Sequence, residues 1–231
     1  MSDLASQFSP RAWLALAFGG VLALFALFGV LAEEVVLDGR GWLDRAASIE
    51  LREYATSDRT EAVRAITQLG SSWFAAIVCG SILLWLLWQR RFSTAIAIGG
   101  VFLIAKLLET GLKLTFERAR PTVVPHLQDA SGYSFPSGHT MTAVITYGLL
   151  AAVLVGQLSG RARWIPPIIA GLLVVLVGFS RVYLGVHYLT DVLAGTLVAG
   201  ACLILAIAAF YLLDRQPAPR PNRSSPSKAP D

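Results

Sequence analysis

Ser180-Arg-Val-Tyr-Leu-Gly-Val-His187-Tyr-Leu-Thr-Asp191 joins two apolar runs, at about 164–184 and 190–213, that are each long enough to cross a bilayer. Ionisable side chains are expensive at membrane depth, so in such a place they indicate function. His187 and Asp191 are four residues apart and would share one face of a helix. A carboxylate beside an imidazole fixes its tautomer and leaves the other ring nitrogen free to attack phosphorus. Taken alone, the pair favours the alternative of a structural contact between two spans.

A second polar stretch, Lys113-Leu-Thr-Phe-Glu-Arg-Ala-Arg120-Pro121, ends an earlier apolar run. Guanidinium groups match phosphate oxygens bidentately, and an ammonium acts as a point charge. Lys113 and Arg120, with Arg181 of the first stretch, could therefore stabilise charge that develops on a phosphoryl group. The alternative is that such cations reach out to lipid headgroups. We apply that interpretation to Arg118 and do not expect it to be catalytic.

A third stretch, Pro136-Ser137-Gly138-His139, opens an apolar run rich in Thr and Ala. Serine is a favoured N-cap, and glycine lets backbone amides approach a ligand closely. A helix N-terminus with free amides is an anion site. The alternative is a capped helix start and nothing more, but a cap does not require His139.

Together the three stretches resemble the tripartite signature of the type 2 phosphatidic acid phosphatase superfamily: Lys, six residues, Arg-Pro; then Pro-Ser-Gly-His; then Ser-Arg, five residues, His, three residues, Asp. Every fixed position is present between residues 113 and 191. The resemblance implies that His187 attacks phosphorus and forms a phosphohistidine, that Asp191 orients it, and that His139 protonates the leaving group. It implies phosphate contacts from Lys113, Arg120, Ser137, Gly138 and Arg181.

Composition places the chain among polytopic membrane proteins. Of its 231 residues 55% are hydrophobic and 15% are charged, against roughly 25% charged in soluble domains. The mean hydropathy is +0.61. The net charge of +4 is split between loops and motifs, so no nucleic-acid partner is expected. No dense carboxylate or His/Cys cluster is visible, and no metal or other cofactor is expected. Cys79 and Cys202 lie in apolar runs and are interpreted as small core residues.

Apolar runs predict an all-α bundle of six transmembrane helices. The runs lie at about 12–32, 71–89, 93–113, 139–158, 164–184 and 190–213. The first exceeds the 7–15 residues of a signal-peptide core, and Ala32-Glu33-Glu34 is a poor cleavage site, so we expect a retained span. Residues 1–215 then form a single membrane domain, and residues 216–231, rich in Pro, Ser and Arg, a disordered cytoplasmic tail.

The polar segment 33–70 is too charged to span, and its apolar residues recur at mixed helical spacing. It predicts one or two short amphipathic helices in the extracytoplasmic interface, with a plain solvated loop as the alternative. The resemblance implies a cover or lateral gate there. Deeper in the third run, Lys106 and Glu109 are spaced to pair on one helix face. They are interpreted as structural, with a supporting role in the site as the alternative, whereas His126 is expected to be exposed.

Charge sets the predicted orientation. Basic residues on one side of the six-span layout are Arg11, Arg90, Arg91, Arg161, Arg163, Arg215, Arg220, Arg223 and Lys228. The positive-inside rule makes that side cytoplasmic and puts the three stretches outside a plasma (inner) membrane. Five arginines of the opposite segment oppose this: Arg40, Arg45, Arg52, Arg59 and Arg64.

The leading hypothesis is a metal-independent membrane phosphatase that acts on a lipid phosphate or diphosphate. Undecaprenyl diphosphate is the first choice of substrate, by resemblance, before phosphatidylglycerol phosphate, phosphatidic acid or lipid A phosphates. A lipid phosphotransferase on the same fold, a small transporter and a non-catalytic lipid-phosphate binder are the alternatives. The bilayer and the lipid substrate are the only expected partners, and the oligomeric state is left open.

Overall fold

A computed structural model describes residues 10–37 and 41–214, and within them the regular structure is helical, which confirms the all-α prediction. The helices are α1 (Pro10–Leu37), α2 (Trp42–Glu53), α3 (Ser57–Gln68), α4 (Ser72–Trp88), α5 (Phe92–Phe116), α6 (Gly138–Val155), α7 (Ile165–Tyr183) and α8 (Leu189–Asp214). A short 3₁₀ turn at Gly160–Trp164 precedes α7. The predicted tail at 216–231 lies outside the described residues.

Six helical stretches of the described chain are long and apolar enough to cross a bilayer, as predicted. They are Ala12–Glu33, Ser57–Trp88, Phe92–Phe116, Gly138–Val155, Gly160–Tyr183 and Leu189–Phe210. The second stretch joins α3 to α4, and only α4 corresponds to the predicted run at 71–89. Large apolar side chains such as Ile168, Leu172 and Val175 are more than half exposed on α7, where lipid tails would cover them.

Local sequence sets the helix ends. Ser71 and Ser137 are N-caps whose side chains accept the amide hydrogens of Phe74 and Thr140. Glu117 takes a left-handed conformation with φ 43° and ends α5. That helix therefore runs three residues beyond the predicted end at 113, and Lys113 lies in its last turn.

Helix α6 occupies the middle of the bundle. It packs against α4, α5, α7 and α8, and α1 packs along α8. Phe135, which has no exposed surface, anchors the segment before α6. Its ring lies 5.8 Å from the ring of Phe28 on α1 and 4.9 Å from that of Phe116 on α5, between centroids. The start of α6 is thus fixed against two other helices. Cys79 and Cys202 are buried, free cysteines, as predicted.

Residues 42–70, which we call the interfacial hairpin, comprise α2, α3 and the link to α4. The prediction of short amphipathic helices here is confirmed. The face that packs on the bundle makes apolar and polar contacts. The buried Val63 packs with Tyr183, Leu184 and Val186. The hydroxyl of Tyr147 donates to the carbonyl of Leu69 (2.8 Å), and Arg64 donates to the carbonyl of Leu127. Large apolar residues, including Trp42 and Ile49, are exposed. The hairpin is therefore held on the bundle by an apolar cluster and by specific hydrogen bonds.

Candidate active site

The three sequence blocks meet at one end of the bundle. There the start of α4, the end of α5, the 117–137 loop, the start of α6, the end of α7 and the turn before α8 surround a cavity of about 290 Å³. The predicted site residues that line it are Lys113, Arg120, Gly138, His139, Arg181 and His187. Ser137 and Asp191 are fully buried behind this lining.

His187 and Asp191 are paired as predicted, but not through a shared helix face. His187 lies in the turn before α8, and only Asp191 is in the first helical turn. Oδ2 of Asp191 lies 3.3 Å from Nδ1 of His187 and accepts the amide hydrogen of Tyr188 at 2.9 Å. Gly185, with φ 71°, allows the reversal of the chain that brings the histidine back. A turn, and not a shared helix face, thus brings two residues that are four positions apart into contact.

Arg120 sets the tautomer of His187. Its Nη1 atom lies 3.3 Å from Nε2 of the imidazole. A guanidinium only donates hydrogen bonds, so Nε2 accepts and the proton is assigned to Nδ1, facing Asp191. Burial lowers the pKa of His187 to about 4, although the hydrogen bond and charge of Asp191 oppose the shift. The ring is therefore neutral at pH 7 and holds a lone pair on the nitrogen away from Asp191.

Backbone carbonyls hold Arg120 in place. Its guanidinium donates to the carbonyls of Val186 (2.7 Å), Ser131 (2.7 Å), Gly132 (3.0 Å) and Tyr133 (3.4 Å). Burial lowers the pKa of Arg120 against the opposing charge of Asp191, and a guanidinium stays ionised in proteins. The loop at 131–133 and the turn before His187 are therefore joined by one cation.

Two other cations reach the cavity from different helices. Arg181 is 3% exposed, and its Nη1 donates to Oγ1 of Thr67 on the interfacial hairpin at 2.9 Å. Its Nε is buried without a partner among the described residues, a state that an anion oxygen would relieve. Lys113 contacts Oε1 of Glu109 at 2.9 Å, and Lys106 contacts Oε2 of the same carboxylate at 2.8 Å. The predicted Lys106–Glu109 pair is confirmed.

Ser137 and Gly138 have different surroundings. The Ser137 hydroxyl accepts the hydroxyl hydrogen of Thr140 at 3.0 Å and caps α6, so in this structure it is occupied within the helix start. Gly138 lines the cavity, and a Cβ atom there would overlap the carboxylate of Glu109. The absence of a side chain at Gly138 therefore lets α5 approach α6 closely.

Sequence reasoning missed the contacts of Ser134 and Asp44, and for Arg118 it was wrong. Arg118 does not reach toward lipid headgroups: its Nη1 donates to Oδ1 of Asp191 at 2.5 Å, and its Nη2 donates to Oδ2 of Asp44 at 2.8 Å. The Ser134 hydroxyl donates to Oδ2 of Asp191 at 2.8 Å. Asp44 lies in the interfacial hairpin, and only its place on an amphipathic helix marked it in the sequence.

The third histidine of the chain lies outside the cavity lining. His126 is exposed, as expected, and its Nε2 lies 2.7 Å from the carbonyl of Pro121. Within residues 10–37 and 41–214, no three His, Cys, Asp or Glu side chains are placed to hold a metal ion.

The part of the chain that contains the three blocks matches a known family in sequence. The model of the PAP2 superfamily matches residues 94–215, which include every block. The chain belongs to the PAP2 superfamily. It is 36% identical over 176 residues to phosphatidylglycerophosphatase B of Bacillus subtilis, covering 75% of this chain and 86% of that protein. It is also 34% identical over 136 residues to the undecaprenyl-diphosphatase BcrC of Bacillus subtilis, covering 54% of this chain and 64% of that protein.

A solved PAP2 structure has the same fold. The crystal structure of a transmembrane PAP2-type phosphatidylglycerolphosphate phosphatase from Bacillus subtilis superposes with a TM-score of 0.72 at 34% identity. The match covers 84% of this chain and 94% of that one. The chain is therefore a multi-pass membrane protein of the PAP2 superfamily.

Proposed function

We propose that this protein is an integral membrane phosphatase that removes phosphate from a lipid phosphate or lipid diphosphate through a phosphohistidine on His187. The observation that carries the proposal is the unprotonated Nε2 of His187, on the side of the ring away from Asp191 and next to Arg120, beside a cavity lined by three further cations and His139. Residues 1–215 would form the single phosphatase domain, with 216–231 as a tail.

In the first step, Nε2 of His187 attacks phosphorus while the bond from phosphorus to the leaving oxygen breaks. The Nδ1 proton stays with His187 and faces Asp191, which stabilises the positive charge of the phosphorylated ring. His139, protonated for this step, donates its proton to the leaving oxygen. Lys113, Arg120 and Arg181 neutralise the equatorial oxygens as charge accumulates there in the transition state.

In the second step, water attacks phosphorus, and the neutral His139 accepts a proton from it. The bond between Nε2 and phosphorus breaks, its electron pair returns to His187, and inorganic phosphate leaves. An alcohol in place of water would give the phosphotransferase alternative with the same residues.

Undecaprenyl diphosphate is our first choice of substrate, followed by phosphatidylglycerol phosphate and phosphatidic acid. The undecaprenyl-diphosphatase and the phosphatidylglycerophosphatase B among the relatives support the first two of these choices. Lys106 favours a diphosphate, because it lines the same cavity as Lys113 and adds a cation two helical turns away along α5, toward the membrane interior. The lipid end of a substrate approaches from that side.

The active site is proposed to face the extracytoplasmic side of the plasma membrane. Arg90 and Arg91 join α4 to α5, and Arg161 and Arg163 lie before α7, at the helix ends away from the cavity. Positive charge in short loops favours the cytoplasm. A transporter is less well supported, because the three blocks gather at the end of the bundle and not at its middle.

The test is hydrolysis of a panel of lipid phosphates and diphosphates by the purified protein, followed by thin-layer chromatography and phosphate release. We expect turnover of at least one lipid in the presence of EDTA, no turnover by the folded His187→Ala variant, and an acid-labile, base-stable phosphoprotein when labelled substrate is quenched. Full activity of His187→Ala would remove the nucleophile assignment. Transfer of label to an added alcohol in preference to water would favour the phosphotransferase.

A further inference from the structure

Asp44 is a buried carboxylate outside all three sequence blocks. It lies in the first turn of α2 on the interfacial hairpin and is 1% exposed. Its Oδ1 accepts the amide hydrogen of Thr190 at 2.9 Å, and its Oδ2 accepts the Thr190 hydroxyl at 2.6 Å. Oδ2 also accepts Nη2 of Arg118 at 2.8 Å. A buried charge is unfavourable unless it is paired and hydrogen-bonded, and Asp44 satisfies both conditions at the start of α8.

Arg118 carries this contact to the active site. While Nη2 faces Asp44, Nη1 donates to Oδ1 of Asp191 at 2.5 Å and to the Thr190 hydroxyl at 2.8 Å. The guanidinium carbon lies 4.1 Å from the centre of the Tyr188 ring, which covers one face of the group. One planar cation therefore joins a carboxylate of the hairpin to the carboxylate beside His187.

The two oxygens of Asp191 consequently have separate tasks. Oδ1 is held by Arg118, whereas Oδ2 receives the Ser134 hydroxyl, the Tyr188 amide and Nδ1 of His187. Rotation of the carboxylate would break bonds on both oxygens. The orientation of His187 thus depends on a bond made on the opposite side of Asp191.

We propose that Asp44 and Arg118 are positioning residues which hold Asp191 so that Nε2 of His187 faces the cavity, and that the interfacial hairpin supports the site through the side chain of Asp44. The inference rests on the proposed role of His187 as nucleophile. Thr67 supports it independently, since the same hairpin also holds the phosphate-facing cation Arg181.

The charges of Arg118 and Asp44 should act on the pKa of His187. The charged or titratable groups around His187 are Asp191 from α8, Arg120 from the preceding loop, Arg181 from α7 and His139 from α6. Arg118→Met removes a positive charge next to Asp191, so the pKa of His187 should rise. Asp44→Asn leaves Arg118 less neutralised, so the pKa of His187 should fall. Arg118→Lys keeps the charge but loses the fork that joins two carboxylates.

The experiment combines kinetics with ¹⁵N NMR of the imidazoles, which is tractable because the chain has three histidines. We expect kcat to fall by on the order of 10- to 100-fold in Arg118→Met, Arg118→Lys and Asp44→Asn, with a smaller change in KM. The pKa of His187 should move in opposite directions in Arg118→Met and Asp44→Asn and stay near the wild-type value in Arg118→Lys.

Asp58→Asn and Arg59→Met, on the exposed surface of the same hairpin, are the matched controls and should leave kcat and the His187 titration unchanged. Melting temperatures check folding, and Arg118→Lys carries the test if Arg118→Met does not fold. Wild-type kcat and an unmoved His187 titration in the Arg118 and Asp44 variants would overturn the inference. A wild-type protein that releases no phosphate would instead overturn the proposed function, and the NMR titration would still report the coupling.

Discussion

Nη1 of Arg120 lies 3.3 Å from Nε2 of His187, on the side of the imidazole that faces away from Asp191. A guanidinium in that place keeps a proton off Nε2. In the proposed mechanism, the same group would also neutralise a phosphate oxygen when Nε2 attacks phosphorus.

Replacement of Arg120 should therefore cause a large loss of activity, which a lysine in its place should restore only in small part. We expect Arg120→Ala to lower kcat by about 10²-fold or more, as loss of a preorganised donor does. Arg120→Lys should recover little, because an ammonium cannot span the carbonyls of Ser131, Gly132 and Val186 at once. Initial rates on one soluble short-chain lipid phosphate measure this. Near wild-type activity of Arg120→Lys would show that charge alone matters.

His139 should show its role through the leaving group. We expect His139→Ala to lose about 10²–10⁴-fold on an alkyl phosphate, where the departing alkoxide needs a proton. The loss should be much smaller on an aryl phosphate, whose leaving group departs as a stable anion. Parallel kcat measurements on the two substrates decide the matter, and an equal loss on both would assign His139 a structural task.

Lys106 should distinguish diphosphates from monophosphates. We expect Lys106→Met to raise KM for farnesyl diphosphate by about tenfold, the equivalent of 1.4 kcal/mol. KM for farnesyl phosphate should change little, because the lipid is the same and only the second phosphate differs. Lys106→Met with Glu109→Gln is the control for an indirect effect through Lys113, since Glu109 binds both lysines. Equal changes for both lipids would remove Lys106 from substrate recognition.

Acid should destabilise the protein partly through His187. Its pKa of about 4 in the folded state lies below the ordinary 6.5. Between these values the unfolded chain binds a proton that the folded chain does not, so stability falls as the pH drops from 6.5 to 4. We expect the melting temperature of His187→Gln to fall less than that of the wild-type protein as the pH drops from 6.5 to 4. Identical slopes in the two proteins would contradict the burial argument.

Sidedness can be measured with single cysteines in a background without Cys79 and Cys202. Ser131 lies beside the cavity and Ser159 at the opposite end of the bundle, and both are exposed. We expect Ser131→Cys in intact spheroplasts to react with an impermeant maleimide, and Ser159→Cys to react only after lysis. The reverse pattern would place the chemistry in the cytoplasm.

The sequence predicted the six spans because long apolar runs have few alternatives. It pointed to Lys113, Arg120, Gly138, His139, Arg181 and His187, which line the cavity, because they stand at the fixed spacings of the three blocks. It could not predict the environment of Asp191. Asp44 is 74 residues before Arg118, and one acid on an amphipathic helix looks like any solvated charge. Arg118 was misjudged for the same reason: its partners are set by tertiary packing, which no local pattern records.

The Phe28–Phe135 contact places the end of α1 beside the cavity, and Asp191 places the beginning of α8 there. The start of α1 and the end of α8 consequently lie at the far side of the bilayer, about 30 Å from the reaction. The membrane would therefore separate a fluorescent reporter attached beyond either helix end from a substrate bound in the cavity.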